Sequence, residues 1–253
     1  MFISLKIVMV VSFLAMITVN GLANALPLGG RTTGDVSAAY PTLFTPQGFT
    51  FSIWGVIYVV MAIALVRFLL TDESGFHGMH QLIGSVFILS SLLNIAWLFA
   101  WHHDRILLSS LVMLVLFFVL AVGFMRIPGE LGIIRAGVSL YFAWISVALI
   151  ANITITLVAF DVSMPLFSDS VWLVLVLLFA TGVALATLFI QKDILFGAVF
   201  LWAFSGILSR HLASGGLGGA YPHVVATLIA ALLVIASSTV YQWVVNGGSL
   251  FGR

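Results

Sequence analysis

The chain has 253 residues, 62% of them hydrophobic and 7% charged, with a formal net charge of +1. A soluble domain carries about 25% charged residues, so this composition cannot coat a water-facing globule, and nine Lys and Arg scattered singly against eight Asp and Glu offer no basic stripe for a nucleic acid. The absence of Cys excludes disulfides, thiolate metal sites, iron–sulfur clusters and a thiol nucleophile, which leaves a polytopic membrane protein.

A bilayer core takes about 20 apolar residues per helix. Runs of that length predict eight spans, at residues 5–26, 48–70, 80–101, 106–125, 133–159, 170–190, 194–209 and 221–245. The fold class is therefore all-α, a polytopic transmembrane helix bundle. The first run, with Lys6 before it and Ala23-Asn24-Ala25 at its end, also has the make-up of a signal peptide; it is read as a span. The loop at 27–47 is long and rich in turn formers (Gly29, Gly30, Gly34, Pro41, Pro46). That pattern suits either a lid or a disordered connector. The seventh run is the shortest, held between Asp193 and Arg210.

Polar and aromatic residues recur at helical spacing within three of these spans. Phe51, Trp54 and Tyr58 sit at i, i+3, i+7 on the second, Asn94, Trp97 and Trp101 repeat the interval on the third, and Tyr141, Trp144, Ala148 and Asn152 extend it on the fifth. Each stripe joins rigid rings to a hydrogen-bonding group. Asn94 and Asn152 need partners in hydrocarbon, from a neighbouring helix or from a ligand. Trp144 and Trp202 fall near mid-span, whereas Trp101, Trp172 and Trp243 at helix ends read as interfacial belt residues. On the last three spans, Gly182 with Ala186 and Ala226 with Ala230 are small-residue faces for helix packing. Trp202, Ser205 and Ser209 read as core.

Every Asp and Glu stands at or beyond a helix end, so no carboxylate lies where a pump or coupled transporter would pass a proton. Spacing also yields no paired carboxylates or Ser/His/Asp set that would point to a hydrolase. His77 and His80 with Glu73 could share one helical face, but a structural metal site closes with four ligands and no fourth is evident. His77, His80, His102, His103, His211 and His223 are read as solvated, interfacial residues, and no metal or catalytic residue is assigned. Eight spans place both termini on one side with Lys6, Arg67, Arg126, Arg135, Lys192 and Arg253, against Arg31, Arg105 and Arg210 on the other. The positive-inside bias then predicts cytoplasmic termini, in a bacterial inner membrane.

Three segments resemble the translocator protein or tryptophan-rich sensory protein (TspO/MBR) family. Thr45-Pro46-Gln47-Gly48-Phe49-Thr50-Phe51 followed by Trp54 and Tyr58 is similar to its proline-rich entry to helix 2. Leu93-Asn94 with Trp97 is similar to its helix 3 motif, and Tyr141-Phe142-Ala143-Trp144 with Ala148, Asn152 and Ile155 to its helix 5 pattern. Gln47 and Phe49 stand where the family commonly has Pro and Trp, and Leu140 stands where Pro precedes the Tyr. The resemblance covers residues 1–160 and implies a five-helix transmembrane domain, followed by an additional three-helix segment at 161–253.

The resemblance further implies a pocket between helices 2, 3 and 5, with the first loop as a lid anchored by Pro46. Its lining would be Phe51, Trp54, Tyr58, Asn94, Trp97, Tyr141, Trp144 and Asn152. The function expected is a sensor or carrier for a flat hydrophobic ligand, a porphyrin or other tetrapyrrole, with no obligatory cofactor. The alternative is a structural or accessory subunit of a larger membrane complex that holds pigments. Expected partners are membrane lipid, the hydrophobic small molecule, and a second copy or another complex subunit.

Overall fold

The computed structural model describes residues 2–25, 30–40, 42–76, 78–162 and 166–252. Its helices are α1 (Phe2–Ala25), α2 (Thr33–Ala38), α3 (Ile53–Leu70), α4 (His80–His102), α5 (Ile106–Arg126), α6 (Ile133–Ala159), α7 (Asp169–Ile190), α8 (Ile194–Leu212) and α9 (Pro222–Val245). Eight are long and apolar enough to cross a membrane: all but the short α2, with the second span beginning at Gly48 in a 3-10 turn that leads into α3. The protein is an all-helical, multi-pass bundle. Among the described residues, Pro46 and Pro128 fall outside the α-helices and Pro222 stands at the first turn of α9, where the missing N–H costs nothing.

The seventh span corrects the sequence reading. It runs on to Leu212, past the Arg210 expected to end it, because backbone carbonyls receive the polar groups of that last turn.

The chain divides into two compact units, Met1–Tyr40 with Ile53–Thr156, and Pro41–Ser52 with Leu157–Arg253. In the first, α1 packs along α4 and buries Met9, Phe13 and Met16, so the run that imitates a signal peptide is an integral helix of the unit. Residues 134–139 and 141–147 of α6 are buried on every side; the polar side chains Arg135 and Ser146 among them are paired, Arg135 Nη1 donating to Ile127 O (2.9 Å) and Ser146 Oγ to Phe142 O (2.8 Å). Gly137 lets α6 approach α3, since a Cβ there would stand 3.0 Å from Met61 Sδ. Phe142 packs on Phe117 and Phe124 of α5, at ring centroids 5.2 and 5.0 Å apart.

The first loop is shared between the units. In the first, Thr32 and Asp35 form a capping box at α2; the Thr32 backbone N–H and hydroxyl donate to the Asp35 carboxylate and hold it below the usual carboxylate range. Trp101 Nε1 donates to Thr33 O (3.2 Å), and Arg31 pairs with Asp104. Trp101 is thus buried against the loop and is no belt residue.

In the second unit, α7, α8 and α9 pack together, and residues 42–52 lie along α8. Arg210 Nη1 donates to Thr42 O (3.2 Å) and Thr45 O (3.0 Å), and His211 Nε2 meets Leu43 O at 3.0 Å. Trp202 Nε1 donates to Thr50 O (2.9 Å), while Gln47 N donates to Gly206 O (3.0 Å). Two readings therefore change. His211 is buried at 0% exposure, and the Trp202 ring, at 37% exposure, grips the loop from outside the core.

The small-residue faces expected to pack, Gly182 with Ala186 and Ala226 with Ala230, are exposed. Close approach occurs instead at Ala180 and Ala184 of α7, at Ala231 of α9, and at Gly197 of α8, where a Cβ would stand 2.7 Å from Thr239 Oγ1.

Candidate functional site

The three stripes converge in the first unit. Trp54 of α3 is the centre: its ring lies 5.5 Å from Tyr58 at 23°, 6.2 Å from Trp97 at 30°, 5.8 Å from Tyr141 at 73° and 6.2 Å from Trp144 at 86°. Trp97 continues the stack to Trp101 at 6.0 Å. Two neighbours are near-parallel and two present edges, the arrangements that aromatic quadrupoles favour, and all separations fall within the 4.5–7 Å of direct contact. The rings therefore meet one another. Trp54 and Tyr58 are half-buried, so part of each side chain remains accessible.

Polar groups rim the cluster. Asn94, at 0% exposure, accepts from Asn20 Nδ2 of α1 (2.7 Å) and interacts with Tyr141. Asn152 Oδ1 accepts from Trp97 Nε1 and Ser109 Oγ, each at 3.3 Å, and its Nδ2 donates to Ala148 O (3.1 Å). Tyr141 Oη lies 3.5 Å from Ser90 O. Tyr58 Oη is buried without a hydrogen-bond partner among the described residues. A buried hydroxyl left in that state costs about 1–3 kcal/mol, which a ligand's acceptor would relieve.

Of the nine residues expected to form the pocket, Trp54, Tyr58, Asn94, Trp97, Tyr141, Trp144 and Asn152 lie in this unit. Pro46 and Phe51 belong to the second unit. Asn20 was missed by the sequence reading; the signal available was a carboxamide, costlier to bury unpaired than the hydroxyls of Ser12 and Thr18, inside an apolar span. A cavity of about 20 Å³ between Met61, Phe87, Ser90 and Leu120 has room for no more than a water.

The histidines depart from the solvated reading in two places besides His211. His102 is buried at 2% exposure with Nδ1 on Leu98 O (2.9 Å), and His80 Nε2 lies 2.8 Å from Glu73 Oε1. His77 is outside the described residues, among which no cluster of three metal-ligating side chains occurs.

Eight apolar helices with a buried aromatic cluster and asparagine-lined edges define an integral, multi-pass membrane protein. A family model described as TSPO-like protein matches residues 6–241, and the chain belongs to that family. The match runs into the last turns of α9, so α7 and α8 and most of α9, for which the motif resemblance supplied no counterpart, lie within the family pattern. Comparison with curated proteins and with solved structures finds no match.

Proposed function

We propose that the protein binds a flat hydrophobic ligand, a porphyrin or another tetrapyrrole, at the Trp54 cluster, and serves as its sensor or carrier. The observation that carries this reading is the meeting of rings from α3, α4 and α6 on one indole, beside a buried hydroxyl with no partner among the described residues. Stacked rings supply affinity without demanding one particular ligand, and a few placed polar groups set its orientation. Tyr58 donates to a polar edge of the ligand, while Asn94 and Asn152, each tied to another helix, hold the cluster's shape.

Titration of the detergent-purified protein with protoporphyrin IX should quench tryptophan fluorescence to saturation. An aromatic contact is worth about 0.5–1.5 kcal/mol beyond its buried area, so Trp144→Ala and Trp54→Ala should each weaken binding by roughly threefold to tenfold. Tyr58→Phe keeps the ring and removes the hydroxyl; it should weaken ligands with a polar edge and spare purely apolar flat ones. Unchanged affinity in both tryptophan variants, with the fold intact by circular dichroism, would remove the site.

A further inference from the structure

Beyond the aromatic cluster, the first unit has a polar cleft at the end of the bundle where α3 finishes and α6 begins. We propose that this cleft binds a zwitterionic lipid headgroup, a phosphate and a primary ammonium together, as in phosphatidylethanolamine. The cleft measures about 320 Å³ and is lined by Arg67 and Thr71 on one wall and by Glu130 and Gly132 on the other, with Phe76 and Ile134 among its apolar lining. That volume lies within the range of about 300–1,000 Å³ of small-molecule sites.

Three features select the ligand. First, Arg67 and Glu130 are both exposed and line one cleft, yet among the described residues neither forms an ion pair. Opposite charges that share a cleft without meeting are complementary to a ligand carrying both signs. Second, the walls are built to stay in place. Arg67 Nη1 donates to Thr71 Oγ1 (2.6 Å), which orients the guanidinium and leaves the rest of its donor fork for a phosphate. Lys6 Nζ donates to Leu69 O (2.8 Å) and Thr71 O (3.1 Å), closing the end of α3. Opposite, Gly132 adopts φ 55 and ψ −111, a conformation for glycine, and its N–H closes the turn that carries Glu130 by donating to Gly129 O (2.9 Å).

Third, depth names the source. Arg67 lies in the last turn of a span that ends at Leu70, and Glu130 precedes a span that begins at Ile133. Both therefore stand at the membrane boundary, where lipid headgroups are the abundant zwitterions. Half-buried Leu131 and Ile133 of the lining meet the apolar part of the lipid. A primary ammonium donates hydrogen bonds to the Glu130 carboxylate, which a quaternary choline cannot do. A purely anionic headgroup would satisfy Arg67 and be repelled by Glu130.

Native mass spectrometry of the full chain in detergent, with phosphatidylethanolamine, phosphatidylcholine and phosphatidylglycerol supplied at equal concentration, tests this. The ethanolamine lipid should be retained by about threefold or more over the other two, the gain expected of a charge-assisted hydrogen bond. Glu130→Gln should abolish its advantage over the choline lipid and raise retention of the glycerol lipid. Arg67→Gln should lower retention of all three, and Arg67→Lys should restore part of it. Both wild-type side chains are exposed, and unchanged thermal melting of the variants separates loss of the site from loss of the fold. Equal retention of the three lipids, or an ethanolamine preference that survives Glu130→Gln, overturns the proposal. Soluble glycerophosphoethanolamine that binds as tightly as the lipid overturns the lipid assignment and gives the cleft to a free zwitterion.

Discussion

Asn152 shows how much one polar side chain in hydrocarbon has to hold. Its carbonyl serves the Trp97 indole and the Ser109 hydroxyl, and its amide returns to its own helix at Ala148. A hydrogen bond between membrane helices averages about 0.6 kcal/mol, but truncation at Asn152 also orphans a buried indole N–H, at about 1–3 kcal/mol. The second effect governs, so Asn152→Leu should lower stability by about 1–3 kcal/mol, read as a reduced melting temperature in detergent. Ser110→Ala should cost under about 1 kcal/mol, because the Asn152 backbone carbonyl it contacts at 3.3 Å also accepts from Thr156 Oγ1 at 2.8 Å, and the Thr156 hydroxyl that meets Ser110 Oγ at 2.7 Å keeps that bond when Ser110 is gone. At this scale the sequence was informative about need and silent about partner. Asn94 and Asn152 had to be satisfied, and period-3.6 spacing put Trp54, Trp97 and Trp144 on inward faces. Nothing in the spacing could pair Asn94 with Asn20, 74 positions away, since the partner depends on which helices become neighbours. Trp101 shows the opposite failure, for a helix-end tryptophan suits a lipid interface as well as it suits a loop carbonyl.

Among the elements, the second unit's hold on residues 42–52 gives α8 a role beyond packing. Arg210, His211, Trp202 and Gly206 all bond to the backbone of this stretch, which runs through the chain directly into α3 and hence into Trp54. Gly206 fixes the closest approach. A Cβ there would stand 1.9 Å from Thr50 Oγ1 and 2.8 Å from its Cγ2, so Thr50 would have to shift and the Gln47–Gly206 hydrogen bond with it. Gly206→Ala should loosen the segment, and so should Arg210→Gln, which removes the bonds to Thr42 and Thr45. Losing about 1.4 kcal/mol of local stability raises the open fraction tenfold. Limited chymotrypsin digestion at Phe44 and Phe49 should therefore be roughly tenfold faster in either variant, and an unchanged rate would show that the segment is held elsewhere. The helix itself was legible as an apolar run, though its end was not. Arg210 and His211 looked like the polar exit from the membrane because sequence alone could not supply the carbonyls that let them remain in the helix.

Across the whole chain, the eight-span count makes a claim about sides that the cross-connections within each unit bear on. In the first unit, Lys6 before the bulk of α1 bonds to the end of α3, and Arg31 after α1 bonds to Asp104 after α4. In the second, Arg210 at the end of α8 bonds to residues 42 and 45, while Asn246 after α9 bonds to Lys192 before α8. Each pairing joins segments that an even count of alternating spans puts on the same face, and a seven-span chain would separate the termini. The direction rests on Lys and Arg, six on the side of the termini against three on the other. Arg135 and Arg210 are engaged with backbone carbonyls in the folded protein, but the bias acts during insertion, before those bonds exist, so both still count. The chain contains no Cys, and single introduced cysteines report their own side without background. In spheroplasts of a bacterial host, a membrane-impermeant maleimide should label Arg105→Cys and Gly215→Cys. It should reach Asp72→Cys and Ser249→Cys only after permeabilisation. The reverse pattern would invert the orientation and leave the fold unchanged, whereas opposite behaviour of Asp72→Cys and Ser249→Cys would mean that one of the eight helices does not cross.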